Sequence, residues 1–231
     1  MRGMIRRLIL AVLLLAGLPA AAARADMKAT YLHPRRFDTV IVEVAGNGDS
    51  RLQFSGQVWR LQIVGGENYV IYERPQGPYV VRLADLQQLF VERRPALPNP
   101  PSLAGLHLVR RGTASFAGHS GTAFFFETPD RAEMSPYPML VVSADPALAP
   151  FGRPIALQMD FAILSYRLAG TVIPPIFVAM REALGGGTAL SFFGLDLQGI
   201  ERTPIDPARL RLPAPPVTME ELRAGGVPRI G

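Results

Sequence analysis

The sequence predicts a mainly β, α+β domain: a strongly curved antiparallel sheet, or half-open β-barrel, into which an apolar helical hairpin is inserted late in the chain. Three observations carry that expectation. Short β-branched or alternating segments follow one another from Thr39 onward, and Gly, Asn, Asp and Pro clusters separate them. Between Pro154 and Leu184 the apolar spacing changes from two residues to about 3.6. Long helices do not alternate with strands, as a parallel α/β sheet would require.

Before the first strand, Met1 to Arg7 is a short basic region and Leu8 to Leu18 an apolar run of 11 residues. Ala23-Arg24-Ala25 then places small residues where signal peptidase needs them. Residues 1–25 read as a signal peptide cleaved before Asp26, followed by a domain over 26–213 and a C-terminal tail over 214–231. The apolar run is too short to span about 30 Å of hydrocarbon, so no stable membrane span is expected after cleavage. Cleavage removes Arg2, Arg6, Arg7 and Arg24, which lowers the basic count from 24 to 20 against 19 acids. A mature net charge of +1 in place of +5 leaves no surplus for nucleic-acid phosphates. The chain has no Cys, so no disulfide supports it in an oxidising periplasm. The roughly 206 remaining residues are enough to bury about 70% of the unfolded surface.

Thr39 to Val44 and Arg51 to Phe54 flank the turn Gly46-Asn47-Gly48-Asp49-Ser50. In Val58 to Val64, Trp59, Leu61 and Ile63 share one face while Arg60 and Gln62 take the other, the pattern of a sheet with one wet side. Tyr69 to Glu73 and Tyr79 to Leu83 continue the meander, Asp85 to Phe90 reads as one or two helical turns, and Pro95 to Pro101 as a stiff connector. Strands resume at Leu106 to Arg110, Thr113 to Ala117, Thr122 to Glu127 and Met139 to Ser143. Pro154 is placed at a helix start, with Leu157, Phe161, Leu164 and Leu168 at helical spacing and Gly170 as the break. Pro174-Pro175 opens a second helix whose stripe is Ile176, Phe177, Met180 and Leu184, and Gly185 to Gly187 ends it. Thr188 to Phe193 and Leu195 to Arg202 are the closing strands, and Thr218-Met219-Glu220-Glu221 is a capping box for a short helix.

Two stretches resemble a known family. Gly112-Thr113-Ala114-Ser115-Phe116-Ala117-Gly118-His119-Ser120-Gly121-Thr122-Ala123-Phe124 resembles the strand, Ala-Gly turn, strand hairpin of small exported bacterial proteins that are similar to the periplasmic lipoprotein-localisation carriers. Leu197 to Pro213, ending in Pro204-Ile205-Asp206-Pro207-Ala208-Arg209-Leu210-Arg211-Leu212-Pro213, resembles their closing strand and its Asp-Pro, apolar, Pro ending. The resemblance implies an unclosed barrel wrapped on a helical plug, with an apolar cavity for acyl chains. Relatives carry Cys residues after the Ala-Gly turn and on the next strand, where this chain has Ser120-Gly121 and no Cys, so a thiol role does not transfer.

No motif calls for a reaction, a cofactor or a metal. Gly118-His119-Ser120-Gly121-Thr122 approaches a nucleophile elbow, but Thr122 replaces the final Gly and the context is strand-turn-strand. His33, His107 and His119 lack metal-ligand spacing. Glu220-Glu221, and Asp196 with Glu201, are the acidic pairs; Arg93-Arg94 and Arg110-Arg111 form either a basic rim for an anionic head or a solvated loop edge.

Trp59, Leu61, Ile63, Phe124, Phe126, Phe161, Leu164, Phe177, Met180 and Phe192 either line an apolar cavity or form ordinary core. Phe161 to Met180 carries Arg167 as its only charge, more apolar surface than a one-faced helix needs. Arg167 and Pro174-Pro175 also interrupt it as a membrane hairpin. The expected function is a non-enzymatic periplasmic carrier for an apolar or lipid-like ligand, with Gly170 and Gly185 to Gly187 as hinges of the hairpin. The alternative is an envelope structural or assembly factor that binds other envelope proteins through the same surface. The mature protein is expected to begin at Asp26; N-terminal sequencing of protein recovered from the periplasm checks this, and a retained Met1 would remove the export reading.

Overall fold

Met27, Ala29 and Tyr31 alternate with Lys28 and Thr30, and this short period-2 segment forms β1 (Met27–Leu32), a strand not anticipated above. It is the central strand of the architecture. The computed structural model describes residues 25–36, 38–93, 107–127 and 137–225. The expected signal segment up to residue 24, Arg94 and the Pro95–Pro101 connector lie outside those residues.

After β1 come β2 (Thr39–Val44), β3 (Ser50–Phe54), β4 (Trp59–Val64), β5 (Glu67–Tyr72) and β6 (Tyr79–Arg82), each antiparallel to the one before it. Helix α1 (Leu83–Arg93) follows directly; it makes three turns where one or two were expected, because Leu83, Leu86 and Leu89 supply a full buried stripe. The second meander comprises β7 (His107–Phe116), β8 (His119–Glu127), β9 (Leu140–Ser143), β10 (Thr188–Phe192) and β11 (Leu195–Arg202). Between β9 and β10 runs the helical hairpin, α2 (Ala149–Leu168) and α3 (Pro175–Leu184). The short α4 (Met219–Gly225) closes the described chain.

All 11 strands form one antiparallel sheet in the order β6-β5-β4-β3-β2-β1-β11-β10-β9-β8-β7. It curves without closing, with β6 and β7 at its edges. Irregularities drive the curl, because each leaves an unmatched residue on one strand. Gln198 is extra between β1 and β11, Leu190 between β9 and β10, and Arg111-Gly112 stands opposite Ala123 between β7 and β8. The two segments expected as separate strands around Gly112 are therefore one bulged strand.

α2 fills the concave side. It starts a turn earlier than Pro154 suggested: Pro150 takes the N-terminal position that tolerates proline, and Pro154 sits inside the helix. Phe151, Ile155, Leu157, Met159, Phe161 and Leu164 are all buried, so α2 is apolar on more than one face, as a plug must be. Full burial of each such side chain is worth about 1.5–3 kcal/mol. Gly170, at φ 66°, ends α2 in the left-handed conformation that glycine adopts without strain. Gly187 serves packing, since a Cβ there would lie 2.5 Å from Val142 Cγ1 and 2.8 Å from the Ser143 carbonyl. That contact fixes the end of the expected Gly185–Gly187 hinge against β9.

The convex side of β4–β6 is not the wet face that Arg60 and Gln62 suggested. Gln62 is buried, and its Nε2 donates to the Arg211 carbonyl at 3.2 Å. Tyr69, Ile71 and Val80 form a second apolar cluster with Leu212 and Ala214. The C-terminal segment thus straps the outside of the sheet. Beyond it the Val217 N–H donates to the Val80 carbonyl on edge strand β6. Residues 214–225, read above as a tail, then dock α4 on α1 through Leu222 and a bidentate Arg223–Glu92 pair. The expected capping box is present: Thr218 N–H donates to Glu221 and Glu221 N–H to Thr218 Oγ1.

Asp26 clasps both halves at the start of β1. Its carboxylate accepts from the Ile205 and Gly46 N–H groups, at 2.9 Å each. These donors, Ile205 first, hold the carboxyl below its ordinary value of 3.8. A lowered folded value means that the stabilisation is complete above the unfolded titration and fades as pH falls below 3.8 through the folded one. Asp26→Ala is expected to lower Tm by about 6–12 °C at pH 7, the loss of two hydrogen bonds to a charged group at about 1.5 kcal/mol each in a chain of this size. The gap to wild type should narrow as pH falls below 3.8, and a pH-independent gap in thermal melts would refute the clasp.

Candidate functional site

The candidate site is the concave face of the sheet where it packs on the hairpin, and most of its inward side chains belong to one continuous core cluster. β4 presents Trp59, Leu61 and Ile63 inward, all buried, because alternation sends every second side chain to the same face. α2 meets them with Phe161, whose ring centroid lies 5.2 Å from that of Trp59; Phe54 stands 5.5 Å from Trp59 on the other side. Leu164 is buried one turn further along α2.

A second aromatic chain crosses the middle of the sheet. Tyr31 on β1 packs edge-on against Phe192 at 5.3 Å, and Phe193, 6.1 Å from Phe192, meets Phe177 on α3 at 5.0 Å. Phe177 in turn contacts Tyr166 on α2 at 5.2 Å. Met180 is fully buried and Phe177 half-buried. Of the two β8 candidates, Phe124 packs on the core, while Phe126 is half-buried and lies outside the core cluster among the described residues.

α3 is held much less deeply than α2. Only Met180 and Leu184 of its ten residues are buried, Phe177 and Ile176 are half-covered, and Val178 is exposed. It rests on α2, β7 and β9 at the open side of the sheet.

Charge is segregated from this interior. Glu43 is the one charged side chain that is buried among the described residues, and it lies on the convex face. There it pairs with Arg209 Nη2 at 3.0 Å and lies 4.0 Å from Arg51 Nη1. The polar residues on the concave side were missed by sequence reading: Tyr72 on β5, directly opposite Trp59, and Gln158, one turn before Phe161 on α2. Both are buried, and burial pushes the Tyr72 phenol up, keeping it neutral. The alternation of Tyr72 with Val70, and a lone amide in an apolar helix, were the signals in the sequence.

Several of the remaining chemical candidates have structural partners. Ser120 Oγ hydrogen-bonds Ser115 Oγ at 2.7 Å across the β7–β8 hairpin, while His119 Nδ1 meets Asp145 Oδ2 at 3.2 Å; adjacent residues of a strand face opposite ways. His33 Nδ1 accepts from the backbone of Arg35 and Arg36. His107 and Arg110 are exposed, and Arg111 pairs with Glu127. Asp196 accepts from Ser191 Oγ at 2.7 Å, and Glu201 pairs with Lys28 at 3.4 Å. Among the described residues no group of His, Asp and Glu is placed to hold a metal, and no helix is long and apolar enough to cross a membrane.

Comparison with protein-family models, with curated proteins and with solved structures finds no match to this chain.

Proposed function

We propose that this chain is an exported, non-enzymatic periplasmic carrier that holds an apolar or lipid-like ligand between the concave sheet and the α2–α3 hairpin. One observation carries the reading. An interior without a buried charge among the described residues is covered on its open side by an apolar helix, α3, that buries only Met180 and Leu184. A shallowly seated apolar helix can exchange its own contacts for those of a ligand, since each methylene moved from water contributes about 0.8 kcal/mol. The basic and apolar N-terminal sequence supports export, and the resemblance to the lipoprotein-localisation carriers supports the same use of the fold.

The alternative, an envelope assembly factor, would pair another protein with the β7 edge. The bulge at Arg111-Gly112 and the two arginines beside it blunt strand addition there, which favours the carrier.

Native mass spectrometry of protein purified from periplasm, followed by lipid extraction, tests the proposal, with uptake of the fluorescent probe N-phenyl-1-naphthylamine as a second measure. A stoichiometric lipid adduct or saturable uptake is expected. A clean apo mass without uptake would leave the assembly-factor reading. Phe177→Asp should reduce uptake at least tenfold while the β-sheet circular dichroism stays in place, because it puts a charge into the Tyr166–Phe193 contact. Unchanged uptake would remove α3 from the mechanism.

A further inference from the structure

Buried hydroxyls near the plug are mostly satisfied. Tyr31 Oη donates to the Ala189 carbonyl at 2.9 Å and Thr188 Oγ1 to the Leu148 carbonyl at 2.8 Å. Three polar atoms on elements that pack together are not: Trp59 Nε1, Tyr72 Oη and Gln158 Oε1 have no hydrogen-bond partner among the described residues. Their residues are 9%, 4% and 8% exposed. Trp59 and Tyr72 face each other across β4 and β5, Phe161 touches the Trp59 ring, and Gln158 lies one helical turn from Phe161 on the same side of α2. A further unpaired group of the concave face, Ser50 Oγ on β3, stands opposite Ile63, at the far end of β4 from Trp59.

An unpaired polar atom in an apolar interior is costly, so a cluster of them calls for a complement. The indole N–H only donates, the amide oxygen only accepts, and the phenol does both. A complement must therefore both accept and donate. It must also be uncharged, because among the described residues no buried ion on this face would compensate an ionised head.

Resting on the carrier reading, we infer that Trp59, Tyr72 and Gln158 form a polar subsite that selects ligands whose alkyl chain ends in an uncharged hydroxyl or primary amide. The head accepts from Trp59 Nε1 and donates to Gln158 Oε1, and Tyr72 Oη completes the set.

Trp59 is the single tryptophan of the chain, so its emission reports binding at the subsite itself. The mature protein is titrated with decan-1-ol, decanamide, decane and decyl sulfate, with displacement of N-phenyl-1-naphthylamine as the second readout. The alcohol and the amide should bind about tenfold or more tighter than decane or the sulfate, and Tyr72→Phe and Gln158→Leu should each lower the ratio of decanol to decane affinity about tenfold. Equal binding of decanol and decane by wild type, or an unaltered preference in Tyr72→Phe, would overturn the subsite and leave the carrier standing. Failure of every chain and of the naphthylamine probe to bind would overturn both. Tyr72→Phe removes one oxygen and no packing volume, so its result decides the matter even where Gln158→Leu impairs folding.

Discussion

The pairing of β1 with β11 joins two otherwise independent meanders into one sheet. Met27 lies opposite Arg202 and Leu32 opposite Asp196, so the first described strand bonds residues more than 160 positions away. Each half alone would be a strip of strands with one apolar face open to water. Joined, they make a surface wide enough to curl around a helix. Asp26 reinforces the seam by taking backbone donors from the β2–β3 turn and from the segment after β11.

Curvature then dictates the plug. A curled sheet turns its inner side chains toward a shared axis, and only an element apolar on several faces can occupy that axis without burying unpaired polar groups. α2 meets this requirement along most of its length, with Gln158 as the exception. The convex side has the opposite solution. The chain after β11 folds back over β4–β6 and supplies carbonyls for Gln62, an arginine for Glu43 and apolar cover for Tyr69 and Ile71. Among the described residues the one buried charge, Glu43, is thereby kept on the convex side and the interior is left to uncharged contacts.

The two hairpin helices divide the work unequally. α2 is deeply buried and contacts β2, β3, β4 and β10, so it belongs to the framework. α3 touches the other half of the sheet through few buried residues, and Gly187, wedged against Val142 and Ser143, anchors the far end of its connection. The close approach of Gly187 lies at one end of α3 and the left-handed Gly170 precedes the other. Local stability is low where buried apolar contacts are few.

Strand after strand was legible along the chain because period-2 alternation and turn residues are local signals: Thr39 to Val44 and Leu195 to Arg202 could be placed almost to the residue. The hairpin was legible from its spacing, and the capping box at Thr218 from its motif. β1 escaped notice although Met27, Ala29 and Tyr31 alternate, since a lone six-residue strand carries little signal until its partners are known. The inward-facing candidates Trp59, Phe161 and Phe192 were identifiable as apolar, but their grouping into two aromatic chains was not, because those contacts bridge elements far apart in the chain. The burial of Gln62, the role of Asp26 and the meeting of Trp59, Tyr72 and Gln158 were likewise decided by tertiary structure alone. Local periodicity states which face of an element is apolar; only the folded chain determines what is brought against that face.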